Sequence, residues 1–111
     1  YIEMAKMILE NTGFEVIPCF DAMSVVDKVK KTNPDLVMLD INMPGMTGLQ
    51  VCDVLKLNEK TAKVPVMMCS AKQDYETCES ALAKGAVDYI FKPYEPKELV
   101  RKINKALTKP A

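Results

Sequence analysis

The stretch that decides the fold of this chain is LVMLDINMPGMTG, residues 36–48. Its first four residues form an uninterrupted apolar run, which is typical of a strand buried on both faces of a parallel sheet. The run stops at Asp40, and the following Pro44, Gly45 and Gly48 indicate a loop. The stretch therefore predicts a buried strand with a carboxylate at its carboxyl end.

Helices and strands alternate along the rest of the chain. The spacing of apolar residues predicts helices over residues 1–12, 22–32, 49–56, 74–84 and 95–108. Short runs of β-forming residues predict further strands over residues 14–20, 64–69 and 86–91. Strands that alternate with helices imply an α/β fold, in which helices cover both faces of a parallel sheet. Right-handed crossovers leave few topologies for such a sheet.

Length and charge narrow the class of protein. The 111 residues suit a single domain with one hydrophobic core. The 15 basic and 15 acidic residues cancel, which argues against a nucleic-acid-binding surface, so we expect no direct nucleic-acid partner. No apolar run is long enough for a membrane span and no signal peptide is visible. We therefore expect no membrane contact and a cytoplasmic location.

The chain has four cysteines and no histidine. The absence of histidine and of any CxxC pair excludes zinc sites of the usual spacing and all histidine-based acid–base chemistry. Each of Cys19, Cys52, Cys69 and Cys78 lies in an apolar stretch, so we expect reduced thiols that pack as small core residues. Any chemistry must come from other side chains, such as those of Asp, Lys and Ser.

Three predicted strands are followed by the polar residues Asp40, Ser70 and Lys92. In open α/β sheets, ligands bind beyond the carboxyl ends of the strands, so we expect these residues to converge. A carboxylate can accept a phosphoryl group as a nucleophile. An amine, a hydroxyl and a divalent cation can stabilise the phosphoryl oxygens. Taken singly, each residue is more often a helix cap, a strand end or a solvated lysine; only their convergence favours a phosphoryl-transfer site.

The same residues resemble the motifs of a known family, the response-regulator receiver domains. Residues 36–48 resemble the phosphoacceptor segment, Ser70-Ala71 resembles the Thr/Ser-Ala switch pair, and Lys92-Pro93 resembles the Lys-Pro pair. The resemblance covers essentially the whole chain. It implies a flavodoxin-like, doubly wound parallel sheet with strand order 2-1-3-4-5.

The resemblance also implies a role for each matching residue. Asp40 would accept a phosphoryl group from a histidine kinase, a phosphotransfer protein or a small phosphodonor. Lys92 would pair with the Asp40 carboxylate and then with the phosphate, and the Lys92-Pro93 peptide would be cis. Ser70 would move to bond a phosphoryl oxygen, and Tyr89 would rotate inward with it. The structural alternative for Tyr89 is a half-exposed strand aromatic.

A magnesium site and two tuning positions are implied in the same way. The Asp40 carboxylate and the main-chain carbonyl of Asn42 would be Mg²⁺ ligands. Asn42 and Lys72 match the variable positions that tune the lifetime of the phosphorylated state, although Lys72 is equally well explained as a surface lysine.

The chain departs from the family pattern at its start. Receiver domains begin with an apolar strand that ends in an acidic pair, and neither is present before residues 1–12. We therefore expect an N-terminally incomplete receiver domain over residues 1–111, with strand 1 absent and residues 109–111 as the start of a linker. The predicted strand over residues 14–20 would lack a neighbour. With few carboxylates, Mg²⁺ binding and phosphorylation of this chain alone should be weak.

The leading functional hypothesis is a phosphorylation-dependent signalling switch. Its readout surface would be formed by residues 74–84, 86–91 and 95–108, whose mixed charges suit a homodimer or an output domain. The alternative is a phosphorylation-independent adaptor with the receiver fold. A hydrolytic enzyme is disfavoured, because Asn42 stands where aspartyl phosphatases carry a second acid. We expect self-phosphorylation and self-dephosphorylation at Asp40, and no turnover of another substrate.

Overall fold

The computed structural model of the chain describes residues 2–41 and 46–108. Its elements are α1 (Ile2–Asn11), α2 (Ala22–Thr32), β1 (Val37–Asp40), α3 (Gly48–Leu57), β2 (Val66–Ser70), α4 (Tyr75–Ala83), β3 (Asp88–Phe91) and α5 (Pro96–Thr108). A short 3-10 helix, Lys72–Asp74, leads into α4. The predicted helices and three of the predicted strands are confirmed, with ends that shift by one or two residues.

Several helix ends are set by local side-chain chemistry. The Asp21 carboxylate accepts a hydrogen bond from the Ser24 amide at 2.9 Å and caps the start of α2. Thr47 and Gln50 form a reciprocal capping box at the start of α3. Asn33 ends α2 in the left-handed conformation, with φ 47°. No helix within the described ranges is both long enough and apolar enough to cross a membrane.

The three described strands form one parallel sheet in the order β1-β2-β3. The register pairs Asp40 with Cys69 on the neighbouring strand and Ser70 with Phe91. This register brings the carboxyl ends of all three strands to one edge. The first turn of α3 folds back onto that edge, where the Gly48 amide donates to the Ile41 carbonyl oxygen at 2.7 Å.

The two faces of the sheet are covered by different helices. Val66 and Met68 of β2 point into a core cluster that includes residues of α2, α3 and α4. Met67 and Cys69 point the opposite way, into a cluster with residues of α1 and α5. This alternation follows from the two-residue period of a strand. Because both faces are covered, β2 is buried at every position.

One predicted strand is wrong. Residues 14–20 form no strand, and the Phe14 amide instead donates to the Leu9 carbonyl oxygen at 3.0 Å, at the end of α1. A strand exists only where a neighbouring backbone completes its hydrogen-bond ladder. Within the described ranges, the ladders join β1 to β2 and β2 to β3, and neither includes residues 14–20. The order of the described strands agrees with the last three positions of the predicted order, and the remainder of that order stays a prediction.

Candidate functional site

The ends of β1 and β3 meet in an ion pair. The Lys92 amine donates to the Asp40 carboxylate oxygen Oδ2 at 2.5 Å. The Lys92 side chain is 17% exposed and that of Asp40 is 32% exposed, so the carboxylate stays within reach of a ligand from solution. The Lys92 amide also donates to the Ser70 carbonyl oxygen at 2.6 Å, which ties the end of β3 to the end of β2. The pair is a charge-assisted hydrogen bond at the edge where the strands end.

Ser70 reaches this edge with its backbone, while its side chain points elsewhere. The residue is 1% exposed, and its hydroxyl lies 3.0 Å from the Cys78 thiol of α4. Its side chain follows Val66 and Met68 onto the face covered by α3 and α4. The structure thus brings Asp40 and Lys92 into direct contact and holds the Ser70 hydroxyl against α4.

Tyr89 lies on β3 in a small aromatic cluster. Its ring makes an edge contact with Tyr75 of α4, at 6.1 Å between centroids, and lies 5.3 Å from the ring of Phe91. The Lys102 amine of α5 donates to the Tyr89 carbonyl oxygen at 2.7 Å and lies 5.5 Å from the ring centroid. Partial burial, and secondly the Glu79 carboxylate, raise the pKa of the Tyr89 phenol, so that it stays neutral at physiological pH. Tyr89 therefore links α4, β3 and α5.

The implied magnesium site is incomplete in the described part of the chain. Asn42 lies outside the described residues, and so does the side chain of Lys72. Within the described ranges, no group of three or more His, Cys, Asp or Glu residues is placed to hold a metal ion. Mg²⁺ needs several oxygen ligands, and the described residues at this edge offer one carboxylate, that of Asp40. They do not by themselves make up a magnesium site.

The conformation of the Lys92-Pro93 peptide agrees with the resemblance. The bond is cis. Pro93 thus lies directly after the lysine that contacts Asp40, as it does in the motif.

Cys78 is the site residue that sequence reasoning missed. It was expected only to fill the core, and it is indeed buried, as are Cys52 and Cys69, while Cys19 is partly exposed; all four cysteines are free. The sequence did indicate that Cys78 is buried, because Cys78 and Ala81 are three residues apart on the predicted helix and share its inner face. It did not indicate which group lies opposite the thiol.

Comparisons with known proteins give the family. The model of the response regulator receiver domain matches residues 1–104. The chain is 39% identical over 105 residues to the DNA-binding response regulator MtrA of Mycolicibacterium paratuberculosis, covering 95% of this chain and 45% of MtrA. It is 41% identical over 101 residues to the phosphate regulon transcriptional regulatory protein PhoB of Klebsiella pneumoniae, covering 91% of this chain and 44% of PhoB.

A solved structure agrees with this match. The receiver domain of NtrX from Brucella abortus is similar with a TM-score of 0.91 and 33% identity, covering 97% of this chain and 90% of that chain. The chain belongs to the response regulator receiver domain family. The predicted flavodoxin-like fold and the assignment to two-component signalling are confirmed.

The comparisons also correct one prediction about partners. The expectation of no nucleic-acid partner is contradicted by the relatives, since MtrA is a DNA-binding response regulator and PhoB a transcriptional regulatory protein. The chain spans less than half the length of these curated relatives. The charge balance of this chain describes only the part that matches MtrA and PhoB. It therefore says nothing about DNA binding by the rest of those relatives.

Proposed function

We propose that this receiver domain is a phosphorylation-controlled switch in which Asp40 accepts the phosphoryl group. The observation that carries the proposal is the Lys92–Asp40 contact of 2.5 Å at the edge where the three strands end. An Asp40 carboxylate oxygen attacks phosphorus, and a new O–P bond forms. The bond from phosphorus to the donor's nitrogen or oxygen breaks, and its electron pair stays with the donor. The donor is a phosphohistidine of a kinase or phosphotransfer protein, or a small acyl phosphate.

In this proposal Lys92 orients the carboxylate before the transfer and then pairs with the charge of the new phosphoryl group. An amine already in place costs little reorganisation when that charge arrives, which is how fixed charges lower such barriers. Ser70 then exchanges its present partner for a phosphoryl oxygen, because a bond to a charged acceptor is the stronger one. Tyr89 follows, since it is paired in register with Met68, two residues before Ser70.

The readout surface is proposed to be the face formed by α4, β3 and α5. The interactions that cross it include the Tyr75–Tyr89 ring contact, the Lys102–Tyr89 hydrogen bond and an ion pair of 3.5 Å between Lys102 and Asp88. A rearrangement of Ser70 and Tyr89 would alter all three. We propose that this face contacts a second copy of the domain or an output domain. By analogy with MtrA and PhoB, that output domain would bind DNA.

Membership of the receiver family favours this switch over a phosphorylation-independent adaptor. The distinction is tested by incubating the full-length protein with acetyl phosphate and Mg²⁺ and measuring intact mass. We expect the addition of one phosphoryl group, removable by hydroxylamine as acyl phosphates are. The Asp40→Asn variant should take up none.

Asp53→Asn is the matched control for this experiment, because Asp53 is also an ion-paired aspartate, bound to Lys84 at 2.9 Å between two partly exposed side chains. It should be phosphorylated like the wild type. Equal incorporation by Asp40→Asn would overturn the proposal, and so would an unmodified wild-type protein at saturating phosphodonor.

A further inference from the structure

The hydroxyl of Ser70 has a specific partner in a fully buried place. Its oxygen lies 3.0 Å from the sulfur of Cys78, and Cys78 is 0% exposed. Neither group can bond water there, and a buried hydroxyl without a partner is costly. No buried side-chain nitrogen or oxygen in the described part of the chain lacks a partner, and for Ser70 the thiol supplies it.

We propose that Cys78 is a positioning residue of the switch, whose thiol holds the Ser70 hydroxyl against α4 in the resting state and sets how readily Ser70 is released. The inference rests on the proposed function, in which Ser70 must leave this position to bond a phosphoryl oxygen. It names the group that competes with the phosphoryl group for the Ser70 hydroxyl.

A thiol suits this task because it is a weak hydrogen-bonding partner. It orients a buried hydroxyl, yet loses against a charged phosphoryl oxygen, whose hydrogen bonds are about twice as strong as neutral ones. Burial, the largest influence, raises the pKa of Cys78, so the group remains a neutral thiol at physiological pH. The Ser70 hydroxyl is therefore only weakly held in its resting position. A small gain in hydrogen-bond free energy at the phosphorylation site is enough to shift it.

The position of Cys78 on α4 connects this bond to the proposed readout surface. Tyr75 lies one helical turn before Cys78, and its ring contacts that of Tyr89. A change at the Ser70–Cys78 contact would thus act on the helix that contributes Tyr75 to the aromatic cluster. Cys69 offers a contrast, since it directly precedes Ser70 but points into the opposite core cluster, with Met67.

Two substitutions of Cys78 separate positioning from simple packing. Cys78→Ala removes the partner of Ser70 in the resting state, so release becomes easier and the affinity for a phosphoryl mimic rises about fivefold. Cys78→Ser replaces the thiol by a stronger partner, so the resting state is favoured and the affinity falls about threefold. A role in packing alone would shift both variants in the same direction.

The experiment measures the beryllofluoride concentration that half-saturates the full-length protein in Mg²⁺, followed by amide chemical shifts. Both variants are also measured in a Ser70→Ala background. There the two changes in half-saturating concentration should vanish if Cys78 acts through Ser70. Cys69→Ala is the matched control and should bind the mimic as the wild type does. If Cys78→Ala does not fold, the comparison of Cys78→Ser with wild type, in both backgrounds, still decides.

The outcomes distinguish this inference from the function on which it rests. A wild-type protein that does not bind the mimic overturns both. If the wild-type protein binds the mimic, two results overturn only the role of Cys78. One is a change of affinity of the same sign in both Cys78 variants, and the other is a change that persists in the Ser70→Ala background. Changes of affinity of opposite sign in the two variants, which disappear without the Ser70 hydroxyl, support the role of Cys78.

Discussion

The Lys92 amine lies 2.5 Å from the Asp40 carboxylate although the two residues are 52 positions apart in the chain. The pair joins the ends of β1 and β3, which are not neighbours in the sheet, because β2 runs between them. The contact is possible because all three parallel strands end at one edge and Lys92 is held there by its own backbone bond to Ser70.

Loss of the Lys92 amine should impair phosphoryl transfer more than folding. Lys92→Gln keeps a polar side chain, one bond shorter, but removes the charge that stabilises the transferring group, and we expect a rate on the order of a hundredfold lower. The measurement is the rate of phosphoryl uptake from acetyl phosphate by intact mass. Lys84→Gln is the control, since it breaks an ion pair of two partly exposed side chains and should leave the rate unchanged. A Lys92→Gln protein with the wild-type rate would contradict the role given to this lysine.

Gly48→Ala should destabilise the domain through a backbone clash at the site. A Cβ atom at this position would overlap the Asp40 carbonyl oxygen and would lie 2.9 Å from the Ile41 Cα. Both atoms belong to the backbone and cannot swing away, so we expect a loss of about 2–3 kcal/mol in the free energy of unfolding by urea. Gly13→Ala is the comparison: a Cβ there meets nothing within 4 Å, and the loss should be only about 1 kcal/mol because φ is +100°. Equal losses in the two variants would show that the clash is relieved.

The buried thiol of Cys69 should make stability fall at alkaline pH. Burial raises the pKa of Cys69 from its usual 9.0 to about 11, with the nearby Lys92 opposing that rise. The pKa of Cys69 is higher in the folded state than in the unfolded state. The stability that the protonated thiol contributes is therefore fully present below pH 9 and is lost as the pH rises to 11. The wild-type free energy of unfolding should therefore fall by about 2 kcal/mol more than that of Cys69→Ala across this window. Urea titrations at pH 8 and pH 11 measure the difference, and parallel pH curves for the two proteins would refute it.

Phosphorylation of the 111-residue chain should need unusually high magnesium concentrations. The described residues provide one carboxylate at the site, and the affinity for a hard cation falls steeply with fewer charged oxygen ligands. Intact mass after incubation with acetyl phosphate over a Mg²⁺ series, with EDTA as the zero point, measures this. Prompt phosphorylation of the isolated chain at low millimolar Mg²⁺ would show the prediction to be wrong.

The errors of the sequence analysis share a physical cause. Residues 14–20 have a strand-forming composition, yet they form no strand, because a ladder requires a partner that composition cannot reveal. The expectation of no nucleic-acid partner was wrong for a similar reason, since the net charge describes only the residues of this chain. Where the deciding information was local, as for the bounds of α2 or the apolar run before Asp40, the prediction held.

Local sequence features predicted the helices, the buried strands that pair with one another, the family, and the three polar residues at the ends of those strands. These depend on periodicity, capping and turn residues, which act over a few neighbouring positions. The hydrogen bond from Lys92 to Asp40 across an intervening strand, and the contact of Ser70 with Cys78, could be found only from the three-dimensional packing. Such pairs depend on the register of the sheet and on the packing of α4 against it, and both are set by contacts between residues far apart in the chain.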